Sequence, residues 1–391
     1  MPTNIERPAE ELRARLQRYC EFLKSDPANP SLALEVAELH TRLGEFAEAE
    51  SVLETALANR PADARLRSQL ATTHIAANRP DEAIEILQSL LASGEQSPAL
   101  RYNLAYALLL ARRPEEARDQ LLTAVDQPEA PAQARLLLAR ALHHCGDLEG
   151  AEEQISAYLK DRPEDAEALG VAALIHLDAS HPDRARAAAE NALGQSADDL
   201  GALVTLGSLA LDQEDPAAAH DYFTRATERH PSSGRAWSGM GLTTMLALDL
   251  DRAIENLKQA VRYMPDHIGT WHSLGWCQIL KRDFAGAQES FDRAMALDRT
   301  FSETHGGLAV LHILQGRLDI AEPEVKRALR LDPKCFSGRF AQSLLMQKSD
   351  PEQAQAIVQG IMSSSVIEGG EKLQDILQRT LKRQGPFKPR Q

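Results

Sequence analysis

Positive charge is in short supply in this chain: 43 Lys and Arg stand against 57 Asp and Glu, for a formal net charge of −14. A nucleic-acid surface needs a concentrated Lys/Arg face that releases phosphate counterions, so this balance argues against one. Cysteine is sparse too. Cys20, Cys145, Cys277 and Cys335 lie more than fifty residues apart with no C-x-x-C spacing, which points to neither a disulfide framework nor a zinc site. His143-His144-Cys145 is the one local cluster of ligand atoms, but helix neighbours point about 100° apart and do not readily grip one ion, so no metal is expected. Long apolar runs are missing as well. The most apolar stretch, Leu104 to Ala111, falls far below the roughly 18 residues a bilayer requires, and Met1 to Glu10 lacks the apolar core of a signal peptide. No membrane insertion and a cytoplasmic location are the expectations. There is no Gly-x-Ser-x-Gly, and Gly239-Met240-Gly241 lacks the third glycine and the preceding strand of a phosphate loop. Neither catalysis nor a cofactor is expected.

What the chain does have is a strict period. Alanine recurs every 34 residues at Ala49, Ala83, Ala117, Ala151, Ala185, Ala219, Ala253, Ala287 and Ala321, with no insertion or deletion between them. Twelve residues earlier in each unit stands only Ala or Gly: Ala37, Ala71, Ala105, Ala139, Ala173, Gly207, Gly241, Gly275 and Ala309. A proline column follows at Pro61, Pro163, Pro231, Pro265 and Pro333. Small side chains at matching turns let two helices approach, and proline ends the second because its ring cannot continue the hydrogen-bond ladder. Each unit is therefore predicted to be a helix, a tight turn and a second helix. Gly44, Asn78, Gly146 and Gly316 serve as breakers in the turn, Asp147, Asp215, Asp249 and Asp283 as N-caps, and Pro80, Pro114, Pro182 and Pro216 stand at the first helical position.

These columns resemble the tetratricopeptide repeat family. Trp237, Met240, Gly241, Ala253, Leu257, Ala260 and Pro265 match its pattern well, and Trp271, Leu274, Gly275, Ala287, Phe291 and Ala294 match it in the next unit, where Arg299 replaces the proline. Repeats two, three and five are looser, with Arg67 at an aromatic position of repeat two. The resemblance implies an all-α fold, a right-handed α-solenoid of stacked helix-turn-helix repeats. Residues 1–29 form an N-terminal packing helix and 30–335 nine contiguous units. A degenerate tenth unit spans 336–369, with Ala354 and Ala356 straddling the alanine position, and 370–391 form a capping helix with a basic tail.

In the family, the second, fifth, sixth, ninth, twelfth and thirteenth residues of a unit line a concave groove. By that correspondence Tyr102, Asn103, Tyr106 and Leu109 face the groove, then Arg140 and His143, and further along Leu242, Met245, His272, Trp276 and Ile279. The lysine and asparagine set by which one branch of the family grips a C-terminal carboxylate is absent. Trp276 stands outside the family's structural aromatic positions, so it could anchor a partner or pack against the next unit. The largely apolar groove implies a non-catalytic adaptor or assembly scaffold for a protein partner offering a helical or extended apolar segment. The alternative is a regulatory or targeting subunit of an enzyme on another chain. Self-association through repeat ends or outer faces is a further expectation.

Overall fold

The computed structural model describes residues 6–347 and 349–363; the expected capping helix and basic tail lie outside them. The described residues hold 21 helices and no strand, and the fold is an all-α helical repeat solenoid. The chain divides into two compact bodies, residues 1–163 and 164–391.

In the first body a lone helix α1 (Glu6–Ser25) precedes four pairs. These are α2 (Pro30–Arg42) with α3 (Phe46–Asn59), α4 (Ala64–Ala76) with α5 (Pro80–Ala92), α6 (Pro98–Leu110) with α7 (Pro114–Ala124), and α8 (Ala134–His144) with α9 (Leu148–Asp161). The second body starts with α10 (Ala166–Asp178) and α11 (Pro182–Gln195), α12 (Leu200–Asp212) and α13 (Pro216–Arg229), and α14 (Gly234–Leu246) and α15 (Leu250–Tyr263). It continues with α16 (Ile268–Lys281) and α17 (Phe284–Leu297), α18 (Ser302–Leu314) and α19 (Leu318–Leu331), and α20 (Phe336–Met346) and α21 (Pro351–Ser363). Within each body the first helices of successive pairs touch one another, while the second helices pack on the first helices to either side. The first helices therefore form the inner layer of each stack and the second helices its outer layer.

The 34-residue columns are the contact points. All nine alanines of the first column are fully buried. Small and large residues compensate across each pair. Where the earlier column is glycine, at Gly207, Gly241 and Gly275, the residue opposite is Phe223, Leu257 or Phe291, and an added Cβ would come within 2.8 Å of it. Where both partners are alanine, as at Ala173 and Ala189, the two helices close directly on each other. Burying each of the larger side chains contributes about 1.5–3 kcal/mol.

The turns follow the expected chemistry. The Asp147, Asp215, Asp249 and Asp283 carboxylates accept from the amides of Gly150, Ala218, Arg252 and Gly286, capping α9, α13, α15 and α17. The breaker residue is left-handed in every one of the nine full pairs, at φ between 56° and 79°, whether it is glycine or Asn78, Arg112, Ser180, Glu214, Leu248 or Arg282. Flanking helices thus impose a conformation that costs a side-chain-bearing residue about 1–2 kcal/mol. Leu248→Gly is expected to stabilise the second body by about 0.5–1 kcal/mol, the strain relief exceeding glycine's extra unfolded-state entropy. Urea titration checks this, and an unchanged or lowered midpoint would show that the turn is not strained.

Three expectations of detail are modified. Helix α7 ends at Ala124 and α8 begins at Ala134, because Pro128 cannot donate to the Ala124 carbonyl and cuts the third repeat's second helix short. Phe22, within the stretch expected as an N-terminal packing helix, is 51% exposed and meets only Tyr19 edge-on among described rings. In the tenth unit α21 starts one residue early, so Ala354 takes the buried alanine slot while Ala356 is exposed. No described helix is long and apolar enough to cross a membrane.

Candidate functional site

The inner layer of the first body contains a cavity of about 560 Å³ spanning α2, α4 and α6. Its walls are the second, fifth, sixth and ninth residues of successive units: Ser31, Leu34, Glu35 and Glu38 from α2, Arg65, Ser68 and Gln69 from α4, and Ala99 and Asn103 from α6. Ala64, Leu90, Glu95, Ser97 and Leu100 complete it. The 34-residue period puts these side chains in register, since each pair presents the same helix face to the same side.

Arg15 of α1 reaches over this wall and donates to Glu35 at 2.8 Å. Among the described residues the side chains of Glu38, Arg65, Gln69, Glu95 and Asn103 make no hydrogen bond or ion pair. Of the residues predicted for this part of the groove, Asn103 lines the cavity, and Tyr106, one turn further along α6, is 38% exposed. Tyr102 and Leu109 are half-buried. On α8, Arg140 and His143 are half-buried, and the His143 and His144 rings stack with centroids 5.9 Å apart.

The second body treats its predicted groove residues differently. Leu242 and Met245 are half-buried and pack in neighbouring clusters of the core, whereas Trp276 is 7% exposed and Ile279 2%. Trp276 lies against Phe336 and Phe340 of α20, with ring centroids 6.5 and 6.1 Å away. Its Nε1–H donates to Nε2 of His272 at 3.0 Å. The His272 ring also meets Phe291 and Phe301, and burial pushes its pKa down to about 4, so it is neutral at physiological pH. Trp276 therefore packs within its own chain, and much of the apolar character read into this stretch of groove belongs to the core.

Glycine explains how α20 reaches Trp276. A Cβ on Gly306 of α18 would sit 2.3 Å from the Gly338 amide nitrogen, so the absent side chain lets the two helices meet backbone to backbone. Gly201 of α12 makes the same approach to the Gly170 carbonyl of α10. These are the two most intimate inner-layer contacts in the second body. From α18 the Glu303 carboxylate also accepts the amides of Phe336 and Ser337, at 2.7 and 2.9 Å, and so holds the N-terminus of α20. The polar cavity went unnoticed in the sequence, although Ser68, Gln69 and Arg65 at groove positions of the irregular second repeat were its signal.

The cysteines offer no nucleophile in the second body: burial pushes the Cys277 and Cys335 thiols up to about 12, far from the thiolate form.

Comparison with known proteins agrees with this architecture. Two family models described as tetratricopeptide repeat match the chain, one over residues 16–73, 43–99 and 74–131, the other over 111–166 and 204–267. A 124-residue stretch is 28% identical to the general transcriptional corepressor trfA of Dictyostelium discoideum, covering 31% of this chain and only 9% of that protein. Over 87 residues the chain is 33% identical to tetratricopeptide repeat protein 36 of Bos taurus, covering 21% of this chain and 46% of the relative. The chain thus spans less than half the length of either relative. Among solved structures, an IFIT1 monomeric mutant with Gppp-AAAA is similar at a TM-score of 0.58 and 14% identity, covering 96% of this chain and 95% of that one, a likeness of fold alone. With its nine-fold 34-residue period, its buried alanine columns and family matches over more than half of its length, the chain belongs to the tetratricopeptide repeat family.

Proposed function

We propose that this protein is a non-catalytic interaction scaffold that holds an extended partner segment along the inner layer of its first body, across α2, α4 and α6. The observation that carries this is the 560 Å³ cavity, walled by three successive inner helices whose Glu38, Arg65, Gln69 and Asn103 side chains have no hydrogen-bond or ion-pair partner among the described residues. Polar groups without internal partners in a concave site gain most from a ligand that brings its own donors and acceptors, and an extended backbone supplies both at regular intervals. Exposed Tyr106 on the same face of α6 adds an aromatic surface of the kind that dominates interface energetics. Partial similarity to a general transcriptional corepressor supports a scaffold rather than an enzyme.

The apolar segment expected from the sequence fits the first body less well than a polar one, because the cavity walls are mostly polar. An Asn103→Ala, Tyr106→Ala double variant is expected to lose a specific partner in affinity purification from the native cell while keeping its thermal stability. A partner list unchanged at equal stability would remove the inner layer of the first body from consideration. A co-purifying enzymatic activity that survives the double change would favour the regulatory-subunit alternative.

A further inference from the structure

We propose that the segment received by the first-body cavity is basic, its Lys or Arg side chains pairing with Glu38 and Glu95, an assignment that rests on the partner-holding role above. The charge pattern argues for it. Four charged side chains line the cavity, Glu35, Glu38, Glu95 and Arg65, and Arg15 already neutralises Glu35. The exposed Glu38 and Glu95 carboxylates form no ion pair among the described residues, and the lining holds the single guanidinium of Arg65 against them. An acidic segment would set its carboxylates against both. A neutral segment would displace water from two carboxylates and return no charge to them, which is unfavourable. A basic segment restores the balance and is drawn in by the field of a chain carrying −14.

The rest of the lining suits the same ligand. Half-buried Leu34 offers apolar surface on which the methylene stem of a lysine or arginine can lie while its head reaches a carboxylate. Gln69 and Asn103 each present one carboxamide with a donor and an acceptor, the pair of functions that a backbone amide requires.

The test is fluorescence anisotropy on the full chain with three fluorescein-labelled peptides of about twelve residues, alternating serine with lysine, glutamate or glutamine. The Lys-Ser peptide is expected to bind most tightly. The pair Glu38→Gln, Glu95→Gln should weaken it by about tenfold or more, while Glu82→Gln, Glu85→Gln, the same charge change on the exposed face of α5, should alter it by less than about twofold. Equal losses from the two pairs would mean diffuse attraction to an acidic protein and would overturn the proposal. Tighter binding of the Gln-Ser peptide, abolished by the Asn103→Ala, Tyr106→Ala change, would overturn the basic preference while leaving the partner-holding role intact. If no peptide responds to changes at Glu38, Glu95, Asn103 or Tyr106, both fall.

Discussion

Gly306→Leu is expected to detach the last helix pair of the second body and leave the preceding pairs folded. Even a methyl group at this position would sit 2.3 Å from the Gly338 nitrogen, and the two nearest atoms in its way are backbone, which cannot rotate aside as a side chain can. Overpacking of this kind costs about 3 kcal/mol or more. The damage extends past the clash, because pushing α20 off α18 also takes Phe336 and Ser337 away from Glu303 and strips the phenylalanines from Trp276. Stacked repeats contact only their neighbours, so the loss should stay local. Hydrogen exchange read by mass spectrometry should show residues 336–363 losing protection while α10 to α15 keep theirs. Uniform loss, or none, would contradict the backbone contact described for α18 and α20.

The second large effect is at Trp276. Truncation to alanine is expected to destabilise the second body by about 3–5 kcal/mol, the range for removing a large buried aromatic. The ring is almost wholly buried and touches His272 as well as two phenylalanines of α20, so the hole left behind has several walls that cannot all collapse together. The hydrogen bond from Nε1 to His272 disappears as well, leaving a buried imidazole nitrogen without its donor. Any fall in partner binding by this variant should therefore track the unfolded fraction and vanish under conditions that restore the fold. A Trp276→Ala protein with wild-type exchange protection and a specific binding defect would instead mean that the ring meets a partner.

How much of this could be read from residues alone differs by level. Period, turn and cap were open to view because each rests on local chemistry: Asp147, Asp215, Asp249 and Asp283 cap helices with bonds that span three residues. The left-handed turns at Leu248 and Arg282 were not, since neither residue favours that conformation and the flanking helices impose it. Groove position pointed to Tyr102, Asn103, Tyr106 and Leu109 in the first body, of which Asn103 lines the cavity. At Trp276 it failed to decide between exposure and packing, because the answer lay sixty residues away in Phe336 and Phe340, within a unit whose pattern had decayed. A column rule says which way a residue faces within its own pair, and says nothing of how near the next glycine-bearing helix comes. The polar cavity was missed for a related reason: its character is the sum of single residues from three units, none of them diagnostic by itself.

The layering, in which second helices rest on first helices and seldom on each other, also has a mechanical consequence. Tension applied along the chain would not load many interfaces in parallel, as it does when strands are sheared across a sheet; it would load one interface at a time, beginning at an end. Each released pair would yield its 34 residues, up to about 115 Å of extended chain, at modest force and with ready re-zipping. Each body built this way should respond to a pull as a soft, reversible spring.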